Sequence, residues 1–312
     1  MNKAVEALTP VAHAHGSAVE SVQLDLASFA SVRRGAAEVL KSHPRLDVLL
    51  CNAGVMSSAG RGGPLQHTDD GHELTLQVNH LGHFLLVKLL LPALTASPAA
   101  RVVLVSSELH RKATSAAGPS GEPPLASPDW ITRLRRSASG ATGSAGAAPP
   151  AGGSTTSSPP YDVAPSGFQL YCISKLYNVW MARKLAELLP PHVTANAVTP
   201  GWVPGTSLGR GVPWLARLAY QYLFPLIPFT VSVAEGARRV AAVCVGEQEG
   251  QARGGYFSRG RAASASPEGA DAAAAEALWR LSEAAVAAVP EGEAAAAAAA
   301  AEEAGSVAPP LG

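Results

Sequence analysis

Tyr171 and Lys175 stand four residues apart in the run Tyr171-Cys172-Ile173-Ser174-Lys175, inside a helical pattern. Positions four apart share one face of a helix, so an ammonium at 175 can reach a phenol at 171. A free tyrosine titrates at about 10, and a neighbouring positive charge favours its phenolate. Such a tyrosine can give or take a proton near neutral pH, as a general acid or base must. The pair alone is also what an ordinary amphipathic helix with a surface lysine displays, so its weight depends on the residues around it.

Four other stretches supply that company. Asn52-Ala53-Gly54 follows the apolar run Val48–Cys51, and Asn79 sits in QVNHLGHF within a long helical pattern. Ser106-Ser107 closes RVVLVSS, and Pro200-Gly201 closes TANAVTP. In an open parallel sheet, ligands bind in the crevice beyond the carboxyl ends of the strands. Three of these stretches fall at such ends, in the order that one crevice requires.

The elements that must position them alternate between short apolar runs and longer helical patterns, as a parallel α/β sheet demands. The strands expected are Val22–Leu26, Val48–Cys51, Val102–Val105, Ala195–Val198 and Gly255–Phe257. The second and third are almost unbroken Val and Leu, the composition of strands covered on both faces. The helices expected are Ser31–Lys41, Gly71–Leu94, Phe168–Leu189, Val233–Val245 and Asp271–Val286. A short amphipathic helix precedes them, with Ala4, Val5, Leu8, Val11 and Ala12 on one face. Residues 1–290 read as one domain, interrupted by a disordered insert at 137–160 made of Gly, Ala, Ser, Thr and Pro. Residues 291–312 form a low-complexity tail of Ala and Glu.

Lysine plus arginine equals aspartate plus glutamate, 24 each, so there is no electrostatic reason to expect nucleic acid as a partner. The three cysteines are too few for a disulfide framework and fit a reducing compartment. Neither a signal peptide nor a clear transmembrane segment is legible, which makes a cytoplasmic location the default. The longest apolar stretch, Trp214–Val233, contains Arg217, Pro225 and Pro228. It reads as packing around a substrate, with loose membrane contact the alternative.

Taken together, these motifs resemble the short-chain dehydrogenase/reductase family. The resemblance runs from Val22 to Val286 apart from the insert. It is strongest toward the branch holding retinol dehydrogenases and WW domain-containing oxidoreductase, through LQVNHLGHFLLVKLLLPAL, VVLVSSELHR and SPEGADAAAAEALWRLSE. The resemblance implies a Rossmann-like α/β fold, a doubly wound parallel sheet, and NAD(P)-dependent interconversion of an alcohol and a carbonyl on an apolar small molecule. It makes Tyr171 the proton donor or acceptor and Lys175 the group that acidifies it and holds the nicotinamide ribose. Ser107 would hold the substrate oxygen, with Ser106 second choice, and Asn79 would bend its helix and anchor a proton-relaying water. Asn52, Ala53 and Gly54 would pack beside the adenosine, and Asp25 would contact the adenine amine. Pro200 and Gly201 would lie against the nicotinamide, and Thr206 would reach its carboxamide. NADP is preferred on the resemblance to that branch, with NAD the other choice.

The expected sheet lacks its first two strands and the glycine-rich turn that would bring helix amides to a pyrophosphate. The family's strand order is 3-2-1-4-5-6-7, so their loss would leave a gap of roughly 14 Å between Val22–Leu26 and Val48–Cys51. Val22–Leu26 must then shift, pair elsewhere or stay unformed. The simplest reading is an incomplete gene model, and the alternative is a shortened protein without dehydrogenase activity that serves as a binding scaffold. A light-driven enzyme resembling protochlorophyllide reductase is a third possibility. His13, His15, His80 and His83 read as surface or packing residues, not metal ligands, for want of a cysteine or carboxylate cluster. Gly60, Gly62 and Gly63 read as a mobile connection.

Overall fold

The computed structural model describes residues 3–57, 59–60, 64–116, 124–136, 164–203 and 230–288. Thr206, the expected insert at 137–160, the tail from Pro290 and most of Trp214–Val233 lie outside the described residues.

Helix α1 (Lys3–Ala14) and helix α2 (Phe29–Ser42) precede strand β1 (Val48–Cys51). The next helix, α3, has two α-helical parts, Leu74–Leu76 and Gly82–Thr95, joined by a π-helical turn at Gln77–Leu81. Strand β2 (Ala100–Val105), the short helix α4 (Trp130–Arg133) and helix α5 (Gly167–Leu188) follow. Strand β3 (Val193–Thr199), helix α6 (Val233–Val245), strands β4 (Tyr256–Ser258) and β5 (Arg261–Ala263), and helix α7 (Ala272–Ala287) complete the order.

The five strands form one sheet in the order β1-β2-β3-β4-β5. The first four are parallel, and β5 returns antiparallel to β4. The return is a two-residue hairpin turn at Arg259 and Gly260, both with positive φ, which matches the right-handed twist of the strands it joins. Period-two alternation sends the residues of β2 to two cores. Val102 and Leu104 pack with α2, α3, α5 and α7, whereas Val103 and Val105 pack with Val240, Val243 and Cys244 of α6. Helices on both faces of a mostly parallel sheet make this a Rossmann-like α/β fold, as the alternation of elements predicts.

Val22–Leu26 is the exception. Val22 and Leu24 are half-buried and Leu26 buried, in alternation with exposed residues, but the segment is not part of any strand. Its apolar side lies on helices: Leu24 crowds Gly35 of α2 and Leu26 crowds Gly82 of α3. The Asp25 amide donates to Ser31 Oγ at 2.9 Å instead of to a neighbouring strand. The residue pattern specifies extended backbone, but a strand also needs a hydrogen-bonded neighbour, and none of the described residues supplies one here.

Helix α3 is long and apolar enough to cross a membrane by length and composition, yet 72% of its most apolar window is buried inside this fold. That burial accounts for its composition, because a helix covered on most sides is apolar on most sides.

Candidate active site

β1, β2 and β3 run in register, with Cys51 beside Leu104 and Val105 beside Val198. Their carboxyl ends therefore release Asn52-Ala53-Gly54, Ser106-Ser107 and Pro200-Gly201 side by side. Ser106 continues the ladder, its amide donating to the Val198 carbonyl at 2.8 Å. The adjacency of strand ends expected from sequence thus follows from chain direction alone.

Helix α5 packs on β2 and β3 and reaches the end of β2 through Lys175. A capping box between Ser166 and Gln169 satisfies amides of its first turn. Nearly every residue from Leu170 to Ala182 is buried, which is why its apolar positions follow no single stripe. Lys175 Nζ lies 5.3 Å from the centre of the Tyr171 ring. It donates to the Val105 carbonyl at 3.0 Å. Only 2% of Lys175 is exposed, and burial pushes its ammonium down to about 8. A lysine poised there changes charge easily, and while protonated it favours an anionic phenolate beside it.

Asn79 occupies the π-helical turn of α3, a local widening that is frequent at functional sites. Its side chain is fully buried and fully used. Oδ1 accepts from the Val55 amide at 2.8 Å, and Nδ2 donates to the Val55 carbonyl and to Ser174 Oγ, both at 2.9 Å. Ser174 in turn donates to the Tyr171 carbonyl at 2.8 Å. Asn79 therefore clamps the turn after β1 onto the helix that carries Tyr171. In that turn Gly54 is closely packed: a Cβ there would lie 3.3 Å from Asn79 Oδ1, a tight contact, and 3.4 Å from Lys175 Nζ.

The two serines after β2 differ in their surroundings. Ser106 is buried and its hydroxyl donates to the Lys175 carbonyl at 2.7 Å. Ser107 is half-buried and caps the short turn Glu108–Lys112, accepting from the Leu109 amide at 3.2 Å. Beside them, Glu108 accepts from Tyr256 Oη and from Arg111 Nε, each at 2.9 Å. Burial works against its charge, but hydrogen bonds from Ser258, Arg111 and Tyr256 prevail and hold its carboxyl below the usual range.

At the end of β3, Gly201 has φ +94°, which excludes most side chains. Arg239 Nη1 donates to the Pro200 carbonyl at 3.3 Å and fills the space a Cβ would need. Asp25 is exposed, its carboxylate accepting from the Ala27 amide, and Asn52 and Ala53 are exposed beside Gly54. The structure thus gathers Gly54, Asn79, Ser106, Tyr171 and Lys175 into one contact network. It sets Ser107 next to that network and Pro200-Gly201 on the adjoining strand end. No described contact links Asp25 to them.

Sequence reasoning missed Ser174, Asn178 and the Val55 backbone. Asn178 Nδ2 donates to the same Val105 carbonyl as Lys175, at 3.1 Å. Its place three residues after Lys175 on a helix was the available signal. His80 and His83 are buried, the packing alternative of the two considered, and among the described residues no group of His, Cys, Asp and Glu is arranged to hold a metal.

Residues 1–118 match the family described as short chain dehydrogenase. Over 267 residues the chain is 36% identical to WW domain-containing oxidoreductase of Danio rerio, covering 85% of this chain and 55% of that protein. It is 34% identical over 270 residues to Retinol dehydrogenase 14 of Mus musculus, covering 85% and 66%. The chain therefore spans between about half and two thirds of the length of these curated relatives. Among solved structures, an uncharacterized protein from Mycobacterium Paratuberculosis superposes with a TM-score of 0.56 at 26% identity, covering 90% of this chain and 81% of that one. A Serratia marcescens short-chain dehydrogenase/reductase superposes with a TM-score of 0.52 at 20% identity, a likeness of fold.

Proposed function

We propose a hydride-transfer function on one settled premise: this chain belongs to the short-chain dehydrogenase/reductase family. The reaction is the NAD(P)-dependent interconversion of an alcohol and a carbonyl on an apolar small molecule. The observation that carries the reading is the stacking of Lys175 against Tyr171, at the point where three parallel strands end.

Each residue has a role that its surroundings support. Tyr171 gives its phenolic proton to the substrate oxygen in reduction and takes it back in oxidation. Lys175 stabilises the phenolate through its charge. Ser107, half-exposed where Ser106 is committed to the helix backbone, directs its hydroxyl at the substrate oxygen. Asn79 holds the Gly54 turn against Lys175 and so keeps the proton-bearing groups together.

A bound nicotinamide cofactor would supply or accept the hydride. The chain fits its ribose end, since Gly54 leaves the approach to Lys175 unobstructed by a side chain. Lys175 would hold the ribose, and Pro200 and Gly201 would flank the ring. Asn52, Ala53 and Asp25 are the proposed contacts on the adenosine side. No glycine-rich strand-turn-helix for a pyrophosphate occurs among the described residues. NADP is the proposed form, on likeness to the branch that includes the retinol dehydrogenases. The apolar substrate class follows from the same relatives, one of which is named for retinol, an apolar alcohol.

Turnover of retinoid, steroid and aliphatic alcohols and aldehydes, with NADP(H) and NAD(H), tests the reading. The unaltered chain is expected to turn over at least one of them and Tyr171→Phe none; equal turnover by Tyr171→Phe refutes the assignment. Calorimetric titration with NADPH separates catalysis from a scaffold role, for which no binding is expected.

A further inference from the structure

Tyr171, Lys175 and Asn178 stand at positions i, i+4 and i+7 of α5, on one face of the helix. The Val105 carbonyl takes two donors, Lys175 Nζ at 3.0 Å and Asn178 Nδ2 at 3.1 Å. A carbonyl has two lone pairs, so both bonds can be made at once. Asn178 must present its NH2 to this acceptor, which turns Oδ1 the other way. Oδ1 is buried and makes no hydrogen bond at standard distance and angle; nor does buried Nδ1 of His80.

The His80 ring sits in an apolar enclosure, 5.3 Å from the Tyr177 ring and 6.0 Å from Phe84. Burial pushes it down to about 3, and the Asn178 side chain beside it acts to raise it. A neutral ring carries one N–H and one acceptor nitrogen. An acceptor on Asn178 needs the proton on Nδ1, which leaves Nε2 to accept. Ser282 Oγ lies 2.9 Å from Nε2 and is fully buried on α7, so the serine donates.

We infer that Asn178 is a positioning residue for Lys175, and that Ser282 holds it in register through His80. The order of donation is Ser282 to His80, His80 to Asn178, and Asn178 to the Val105 carbonyl that Lys175 also uses. The arrangement has a consequence for Lys175. When its ammonium turns toward a ligand, Asn178 keeps the buried carbonyl satisfied, so no orphaned acceptor opposes the turn. Helix α7, which packs along α5, thereby becomes part of the support of the proton-transferring groups. The consequence for turnover rests on the hydride-transfer reading; the hydrogen-bond order does not.

The test has two readouts independent of turnover. In the unaltered chain labelled with [15N]histidine, His80 is expected as the Nδ1–H tautomer, its signal assigned by loss in His80→Phe. An Nε2–H tautomer overturns the inference. In the chain labelled with [13Cε]lysine, the Lys175 signal is expected to move in Ser282→Ala and return toward its original position in Ser282→Thr, which keeps the hydroxyl. A Lys175 signal unmoved in Ser282→Ala, with the fold intact by circular dichroism, also overturns it. A chain inactive on every alcohol and carbonyl would count against hydride transfer while these two signals still decide the relay.

Discussion

Gly54 and Lys175 are so close that a methyl group on position 54 would stand 3.4 Å from the Lys175 ammonium nitrogen. The same methyl would lie 3.3 Å from Asn79 Oδ1, an atom held in place by the Val55 amide. The restriction is one of space, since the backbone of Gly54 does not have positive φ. A β-branched side chain would therefore occupy the approach to Lys175. Gly54→Val is expected to weaken NADPH binding at least tenfold, about 1.4 kcal/mol, by calorimetric titration. An unchanged affinity would remove Gly54 from the cofactor contacts.

The buried lysine makes stability depend on alkaline pH. In the folded chain Lys175 gives up its proton at about 8, in the unfolded chain at 10.5, because burial penalises the charge. Between those values the unfolded state binds more protons, so stability rises with pH across the window and the penalty is fully present below it. That penalty is about 3 kcal/mol at most. Lys175→Met is expected to lose turnover and yet to unfold at higher urea than the parent at neutral pH. Its advantage should fade as pH rises from about 8 and be gone above 10.5. A less stable Lys175→Met at neutral pH would contradict the burial argument.

Acid should act through three histidines. Burial pushes His80 down to about 3 and His72 and His83 to about 4, so all three are neutral when folded. As pH falls below 6.5 the unfolded chain takes up these protons and the folded chain does not. Stability then falls by about 1.4 kcal/mol per pH unit for each histidine. Far-ultraviolet circular dichroism against pH is expected to record cooperative acid unfolding, with its midpoint lowered in His72→Leu. An identical midpoint would mean that His72 titrates normally.

The two adjacent serines should separate stability from catalysis. Ser106→Ala leaves the Lys175 carbonyl without its side-chain donor and should cost about 1–3 kcal/mol in denaturant unfolding. Ser107→Ala removes a half-exposed hydroxyl that caps the Glu108–Lys112 turn, so it should cost about 0.5–1 kcal/mol in unfolding while lowering kcat on the order of a hundredfold. The reverse pattern would assign the substrate contact to Ser106.

Much of this site was legible because its chemistry coincides with its punctuation. Asn52, Ser106 and Pro200 stand where apolar runs stop, and a parallel sheet brings such stops together whatever the intervening chain does. The Tyr171–Lys175 pair was legible from helical spacing taken together with those strand-end residues. What escaped were groups whose part depends on what faces them. Ser174 is an ordinary polar residue until Asn79 arrives from another helix. The π-helical turn at Gln77–Leu81 left no mark in hydrophobic periodicity, because it adds a single wide turn to an otherwise apolar helix. The hairpin at Arg259–Gly260 was unread because arginine seldom adopts positive φ.

By itself the sequence determined the class of fold, most of its elements and a set of candidate residues for moving a proton. Each of these follows from local spacing: period two for strands, four-residue steps for a helix face, and polar residues where apolar runs end. Only the tertiary structure decided whether Val22–Leu26 would be a strand, which serine would be committed to the backbone, and how deeply Lys175 would be buried. A strand needs a hydrogen-bonded neighbour, a hydroxyl turns to the nearest acceptor, and desolvation depends on everything packed around a charge. Those neighbours lie tens of residues away along the chain, where no local pattern reaches.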